Sequence, residues 1–419
     1  VYKAKQQQKK IKSIYESMIS LPTLQKKYWK GDEVLNKWHI NKWYFFVGTL
    51  VIFAIIISLI LKNTSLTFGS YDREKFPHLI GNSMVKKPSL AGRLKIIEIG
   101  GRKTLGDQHG NPIQLRGMST HGLQWFPQII NNNAFSALSK DWEANVIRLA
   151  MYVGEGGYST DPSVKEKVIE GINLAIKNDM YVIVDWHVLN PGDPNAKIYS
   201  GAKEFFKEIA SKYPNDLHII YELANEPNPT ESDITNDITG WEKVKKYAEP
   251  IIKMLRDMGN ENIIIVGSPE WSTRPDLAVN DPINDKNVMY SAHFYTGSAS
   301  VWENGNKGHI ARNIEKALGN GLAVFVTEWG TSEASGDGGP YLNEADEWLE
   351  FLNSNNISWV NWSLANKNEA SAAFLPTTSL DPGNGKVWAV NQLSLSGEYV
   401  RARIKGISYK PISRETMGK

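Results

Sequence analysis

Eight short, nearly continuous apolar runs recur along the second two-thirds of the chain: Ile113 to Ser119, Ala144 to Val153, Tyr181 to Val188, Ile219 to Pro227, and runs starting at Ile263, Val288, Ala323 and Ser358. Runs without strict alternation fit parallel strands covered on both faces. The stretches between them carry helical periodicity. Trp241, Val244, Ala248, Ile251, Ile252 and Leu255 fall on one face of a helix, and Val168, Ile169, Ile172 and Ile176 repeat the pattern. Strands alternating with helices predict an α/β fold, a closed (β/α)8 TIM barrel over residues 94–406, with an open doubly wound sheet as the alternative. No Gly-rich phosphate loop follows any run, which weakens a nucleotide-binding version of that alternative. Ahead of the first unit, Leu94 to Gly100 and Lys103 to Pro112 predict a small hairpin with its turn at Gly110 and Asn111, placed to plug the barrel floor. After the last run a final helix begins near Ser396, and residues 407–419 form a short basic tail.

A different pattern precedes the barrel. Tyr44 to Leu61 contains no charged residue, with Lys42 before it and Lys62 after it. Eighteen residues at about 1.5 Å each cover most of a hydrocarbon core of about 30 Å, and Trp43 and Tyr44 suit its interface. Residues 44–62 are therefore expected to form a transmembrane anchor, with cleavage as a signal sequence, and hence secretion, as the alternative. By the positive-inside rule the basic arm, residues 1–43, is expected on the cytoplasmic side and the barrel outside the cell, joined by a tether at 63–93.

Composition narrows the chemistry. The absence of cysteine excludes disulfides, thiolate metal sites and a cysteine nucleophile. The net charge of +2 is uneven: residues 1–43 carry +7, which leaves −5 for residues 44–419. The barrel offers no electrostatic footprint for a phosphate backbone, so no nucleic-acid partner is expected. The histidines have no zinc-ligand spacing, and neither a metal nor a cofactor is expected. The barrel is expected to be monomeric.

Active residues of such a barrel lie at the C-terminal ends of its strands, and the polar residues follow that rule. Arg148 and Tyr152 end the second run, Asp185 and His187 the third, Asn225 and Glu226 the fourth, His293 and Tyr295 the sixth, Glu328 the seventh and Trp362 the eighth. Burying so many polar groups is costly unless they pair with one another. Glu226 and Glu328 would face each other across the mouth, and two carboxylates are the minimum machinery for cleaving a glycosidic bond. Arg148 beside Glu328 favours its anion, leaving Glu226 as the acid. Asp185 and Glu155 read as structural or loop-solvated acids. Trp125, Trp186, Trp271, Trp302, Trp329 and Trp362 follow strand ends, and about half of them are expected to line a cleft rather than pack the core.

The ordered set VIVDWH, ELANEP, AHFY and VTEWG, with GMSTHGLQW (Gly117 to Trp125) and TEWGTSEASGDGG (Thr327 to Gly339), resembles glycoside hydrolase family 5, in its bacterial-type endoglucanase branch. The resemblance runs from about Leu94 to Gly406. It implies a retaining β-glycanase with Glu226 as acid/base and Glu328 as nucleophile. Arg148, His187, Asn225, His293 and Tyr295 match the residues that support the pair, Tyr295 bonding the nucleophile and Asn225 the sugar 2-hydroxyl. Trp362 matches the platform under the sugar next to the scissile bond, and His121, Trp125, Tyr152 and Lys367 match substrate contacts. The expected partner is a β-glucan such as cellulose. A mannanase or xylanase on the same barrel, or a catalytically silent glucan-binding surface protein, remain as alternatives.

Overall fold

The computed structural model describes residues 75–411. The expected anchor at 44–62, the basic arm and the first part of the tether lie outside the described residues, as does the end of the tail. Among the described residues no helix is long and apolar enough to cross a membrane.

A hairpin of β1 (Lys95–Ile99) and β2 (Arg102–Gly106) comes first. Barrel strands β3 (Arg116–Thr120), β4 (Val146–Tyr152), β5 (Tyr181–His187), β6 (Ile219–Glu222), β7 (Ile264–Val266) and β8 (Val288–Tyr295) follow in order. A two-residue pair, β9 (Trp302–Glu303) with β10 (Asn306–Lys307), precedes β11 (Val324–Gly330) and β12 (Trp359–Leu364). The eight barrel strands are parallel, and β12 pairs with β3 to close the cylinder. This is the (β/α)8 architecture that the apolar runs predict, not the open sheet.

Two expectations need correction. The β1–β2 hairpin reverses at Gly100 and Gly101, both in the left-handed region (φ 58° and 78°), not at Gly110 and Asn111. The Gly110 turn exists, but it folds the segment after β2 so that Gly106 bridges Pro112. Nor does every strand lead into a full helix. The connection from β7 to β8 holds a left-handed turn at Glu270, Trp271 and Ser272 (φ 59°, 54° and 56°), whose backbone cannot continue as a right-handed helix, and a short 3-10 segment, Pro275–Val279.

Side-chain alternation sorts each strand into two faces. On β4, Ile147, Leu149 and Met151 join the apolar layer under the helices, while Val146, Arg148, Ala150 and Tyr152 are left to the interior. On β5, Val182, Val184 and Trp186 face the helices, which leaves Tyr181, Ile183, Asp185 and His187 inside. The interior is thus layered. Its floor is apolar, built of Val146, Ile183, Ile220, Ile265, Met289, Phe325 and Val360 with Leu94 and Leu105 of the hairpin segment packed against them. Each such side chain contributes about 1.5–3 kcal/mol on full burial. The charged and aromatic layers stand above that floor, toward the strand C-termini.

Residues 75–91 pack on the barrel rather than hang free. Leu79 is buried, Gly81 N–H donates to Gly406 O at 2.9 Å, and Gln114 N–H donates to Met84 O at 2.9 Å. The Lys87 ammonium is held by Ser139 and Ala144, and burial lowers its pKa to about 8.

Candidate active site

Above the apolar floor lies one fully buried cation, Arg148. Its Nε donates to Glu222 Oε2 at 2.7 Å and its Nη2 to Asn225 Oδ1 at 2.6 Å, while Asp185 Oδ2 forms an ion pair with Nη2 at 3.0 Å. Nη1 donates to Glu328 Oε2 at 3.0 Å and Ser119 Oγ at 3.3 Å. Burial alone would lower the guanidinium pKa, but Asp185, Glu222 and Glu328 outweigh it and raise it.

This arrangement fixes the hydrogens of its neighbours. Asn225 accepts from Arg148 through Oδ1, so its Nδ2 is the atom turned to Val188 O (3.2 Å) and His187 Nε2 (3.1 Å). His187 Nε2 therefore accepts, and Nδ1–H of the neutral ring donates to Asp185 Oδ2 at 2.6 Å. Burial, with the Arg148 charge, holds His187 well below its usual pKa, as this neutral tautomer requires.

The nucleophile candidate, Glu328, owes its place to a register shift in β11 between Phe325 and Glu328. Strict alternation would put Thr327 and Glu328 on opposite faces. Instead Thr327 Oγ1 meets His293 Nε2 at 2.9 Å while Glu328 reaches Arg148 and accepts from Tyr295 O–H at 2.6 Å through Oε1. Gly330 makes room for that contact, since a Cβ there would stand 2.4 Å from the Tyr295 ring. Both oxygens of Glu328 are thus held by donors, which stabilises the anion and fixes its plane.

Glu226 lies beyond the end of β6, in the loop that follows it, correcting the expectation of a strand running to Pro227. Its Oε1 lies 2.9 Å from His293 Nδ1, and its side chain is 12% exposed. The loop is braced from the β7–β8 connection, where Ser272 Oγ–H donates to Asn225 O at 2.6 Å and Trp271 N–H to Pro227 O at 3.1 Å. Burial raises the Glu226 pKa to about 8; Arg148 opposes the shift, while Asp185 and Glu222 add to it. His293 is lowered to about 4 by burial and is neutral at pH 7.

One oxygen of Glu226, one of Glu328 and a ring nitrogen of His293 lie within 4.8 Å of one another. Among the described residues this is the group close enough to hold a metal ion. Within it Glu328 is already held by Arg148 and Tyr295, His293 Nε2 meets Thr327, and Glu226 meets His293 Nδ1.

The cleft over this centre has a volume of about 570 Å³. Ten of the twelve residues that the resemblance assigns to the site line it: His121, Trp125, Tyr152, His187, Glu226, His293, Tyr295, Glu328, Trp362 and Lys367; Glu155, read as a structural or loop-solvated acid, lines it as well. Arg148 and Asn225 sit beneath its surface. Tyr152 stacks on His187 with ring centroids 3.9 Å apart, Trp125 meets Tyr152 edge-on at 4.9 Å, and His121 lies 4.9 Å from Trp362. Of the six strand-end tryptophans, Trp125, Trp271 and Trp362 line the cleft, Trp186 and Trp329 are fully buried, and Trp302 is exposed outside the lining. Sequence reasoning missed Glu222 altogether and missed Glu369, whose carboxylate pairs with Lys367 at 2.6 Å and also lines the cleft; Asp185, read as structural or loop-solvated, is fully buried against Arg148 and His187 and not solvated. The signal for Glu222 was a lone acid at an inward position of an otherwise apolar strand.

A parallel barrel whose mouth holds two adjacent carboxylates, one stabilised as an anion and one as an acid, under a cleft walled with aromatic rings, defines a glycoside hydrolase. Comparison with known proteins agrees. The profile described as Cellulase (glycosyl hydrolase family 5) matches residues 106–368, and the chain belongs to that family. It is 97% identical over 385 residues to Cellulase CelDZ1 of Thermoanaerobacterium sp., covering 92% of this chain and 100% of that protein. It is 57% identical over 389 residues to an endoglucanase of Halalkalibacter akibai, covering 88% of this chain and 48% of that protein, so it spans about half the length of that relative. Among solved structures it is similar to a thermostable, highly halotolerant GH5 cellulase from an Icelandic hot spring isolate, with 98% identity and a TM-score of 0.79 over 79% of this chain and 100% of that one. A variant of the Thermobifida fusca endoglucanase Cel5A catalytic domain, solved with cellotetraose, is 35% identical with a TM-score of 0.67, over 76% of this chain and 100% of that one.

Proposed function

We propose that this chain is an endo-β-1,4-glucanase that hydrolyses internal bonds of cellulose or mixed-linkage β-glucan with retention of anomeric configuration. The observation that carries this is the close approach of Glu226, beside His293, to Glu328, whose two oxygens accept from Arg148 and Tyr295. A pair of oxygens, one from each residue, within 4.8 Å of each other supports the carboxyl spacing of about 5–5.5 Å used for double displacement over the inverting gap of about 6.5–9.5 Å. Glu328, held by Arg148 and Tyr295, attacks the anomeric carbon while Glu226 gives its proton to the departing glycosidic oxygen. Glu226, now ionised, takes a proton from water, and the hydroxide oxygen displaces Glu328 from the sugar. Trp125, Trp271 and Trp362 supply flat apolar faces along the cleft for pyranose rings.

Initial rates on carboxymethylcellulose, barley β-glucan, mannan and xylan check the substrate, with the two glucans expected to be at least about tenfold faster. A dominant mannan or xylan rate would replace the glucan assignment, and binding without hydrolysis would point to a surface lectin. Proton NMR of fresh product should show the β-anomer first.

The proposal extends to location: residues 44–62 hold the barrel outside the cell, with the basic arm inside. The uninterrupted apolar run between Lys42 and Lys62 supports this reading. Expression of the full chain should place activity in the membrane fraction, released by detergent and not by high salt; activity found wholly in the medium would favour signal cleavage.

A further inference from the structure

Four carboxyl groups and one guanidinium share the interior of the barrel mouth: Asp185 on β5, Glu222 on β6, Glu226 just after β6, Glu328 on β11 and Arg148 on β4. The other titratable groups facing them are His187 on β5, His293 and Tyr295 on β8, and Tyr152 on β4. Resting on the function proposed above, two of these acids, Asp185 and Glu222, have no part in bond making. Both are fully buried.

Their geometry is specific. Glu222 grips one edge of the guanidinium with both oxygens, Oε2 at 2.7 Å from Nε and Oε1 at 3.3 Å from Nη2. Asp185 closes on Nη2 from the neighbouring strand at 3.0 Å. With that edge occupied, the Nη1 edge is directed at Glu328. A bidentate carboxylate on one side of a guanidinium is a geometric constraint that a lone Arg–Glu328 pair would lack.

The same grouping leaves the site short of positive charge. One guanidinium cannot balance Asp185, Glu222 and Glu328 together, and the two histidines are neutral. Burial raises both spare acids, with Arg148 opposing, and Asp185 reaches about 7. A buried ion cluster of this kind is weak evidence for stability, since apolar residues of similar size would fill the space at less cost.

We propose that Glu222, seconded by Asp185, is a positioning residue that aims Arg148 at the nucleophile and holds the negative field under which Glu226 works as the acid. Neither group touches the substrate; both act through Arg148 and through space.

The test is the pH profile of the full chain carrying Glu222→Gln, on barley β-glucan beside the wild type. The amide loses the charge and sets a donor against Nη2. The expected result is a fall in kcat of about 10- to 100-fold with KM within about threefold, and a basic limb of kcat/KM moved about one unit to lower pH. Glu222→Asp, which keeps the charge on a shorter arm, should return that limb to the wild-type position. A merely structural role would lower melting temperature or kcat and leave the limb where it was, and that outcome overturns the proposal. Should Glu222→Gln not fold, Asp185→Asn decides from the other side of Arg148: its basic limb must also move to lower pH, and an unmoved limb overturns the proposal. A wild type without hydrolysis would instead overturn the function on which the proposal rests.

Discussion

Glu328→Gln should lower kcat on carboxymethylcellulose by about 10⁴-fold or more while cellotetraose affinity stays within a few-fold of wild type. Glutamine matches glutamate in volume, so the 5%-exposed site is neither opened nor overfilled. What it lacks is the anion: an amide oxygen cannot form the glycosyl ester on which double displacement depends. Arg148 loses one of three carboxylate partners but keeps Glu222 and Asp185, so the cation is not stranded and the barrel should still fold. On the proposed function, binding would rest on the rings of Trp125, Trp271 and Trp362 that line the cleft, and these are unchanged in the variant. Turnover on a soluble glucan and titration calorimetry with cellotetraose measure the two quantities separately. A rate within about 100-fold of wild type would show that another group attacks the sugar.

The barrel was legible because its strands are apolar on both faces, outward under the helices and inward on the floor, which writes each strand as an unbroken run. The same property concealed the layer above. Glu222 is the last residue of β6 and reads in the sequence as the polar end of IIYE, with nothing to say that it faces Arg148 rather than a loop. Trp186 and Trp329 carry the chemistry of sugar platforms but occupy outward positions beneath helices, and parity along the strand separates them from His187 and Glu328. Parity itself fails at β11, where the register shift turns both Thr327 and Glu328 to use in the site; shifts of this kind depend on the pairing of neighbouring strands and leave no local mark. The hairpin turn was misplaced because two glycine turns follow in close succession and either could close it. The helix expected after β7 gave way to a left-handed turn at Glu270, Trp271 and Ser272, and that segment braces the Asn225–Glu226 loop through Ser272 and Trp271.

Glu226 is the residue whose loss should depend most on the substrate used to measure it. With a glucan the leaving group is a sugar alkoxide that cannot depart unprotonated, so Glu226→Gln should cost about 10³-fold or more in kcat/KM. With 2,4-dinitrophenyl β-cellobioside the phenolate leaves without help, and the first step should be slowed less than about tenfold. Glycosyl-enzyme would then accumulate, since no base remains to activate water, and a burst of phenolate should precede a slow steady state. The pH dependence follows from the same group. Burial raises its pKa to about 8, so the acid form that glycosylation needs is present below that value and is lost as pH rises through it. Wild-type kcat/KM on glucan should therefore fall above pH of about 8, whereas Glu226→Gln on the activated aryl glycoside should show no such limb in the burst rate. An equal loss on both substrates would mean that Glu226 serves to bind or hold the fold, and the proton donor would have to be sought among the other groups at the mouth.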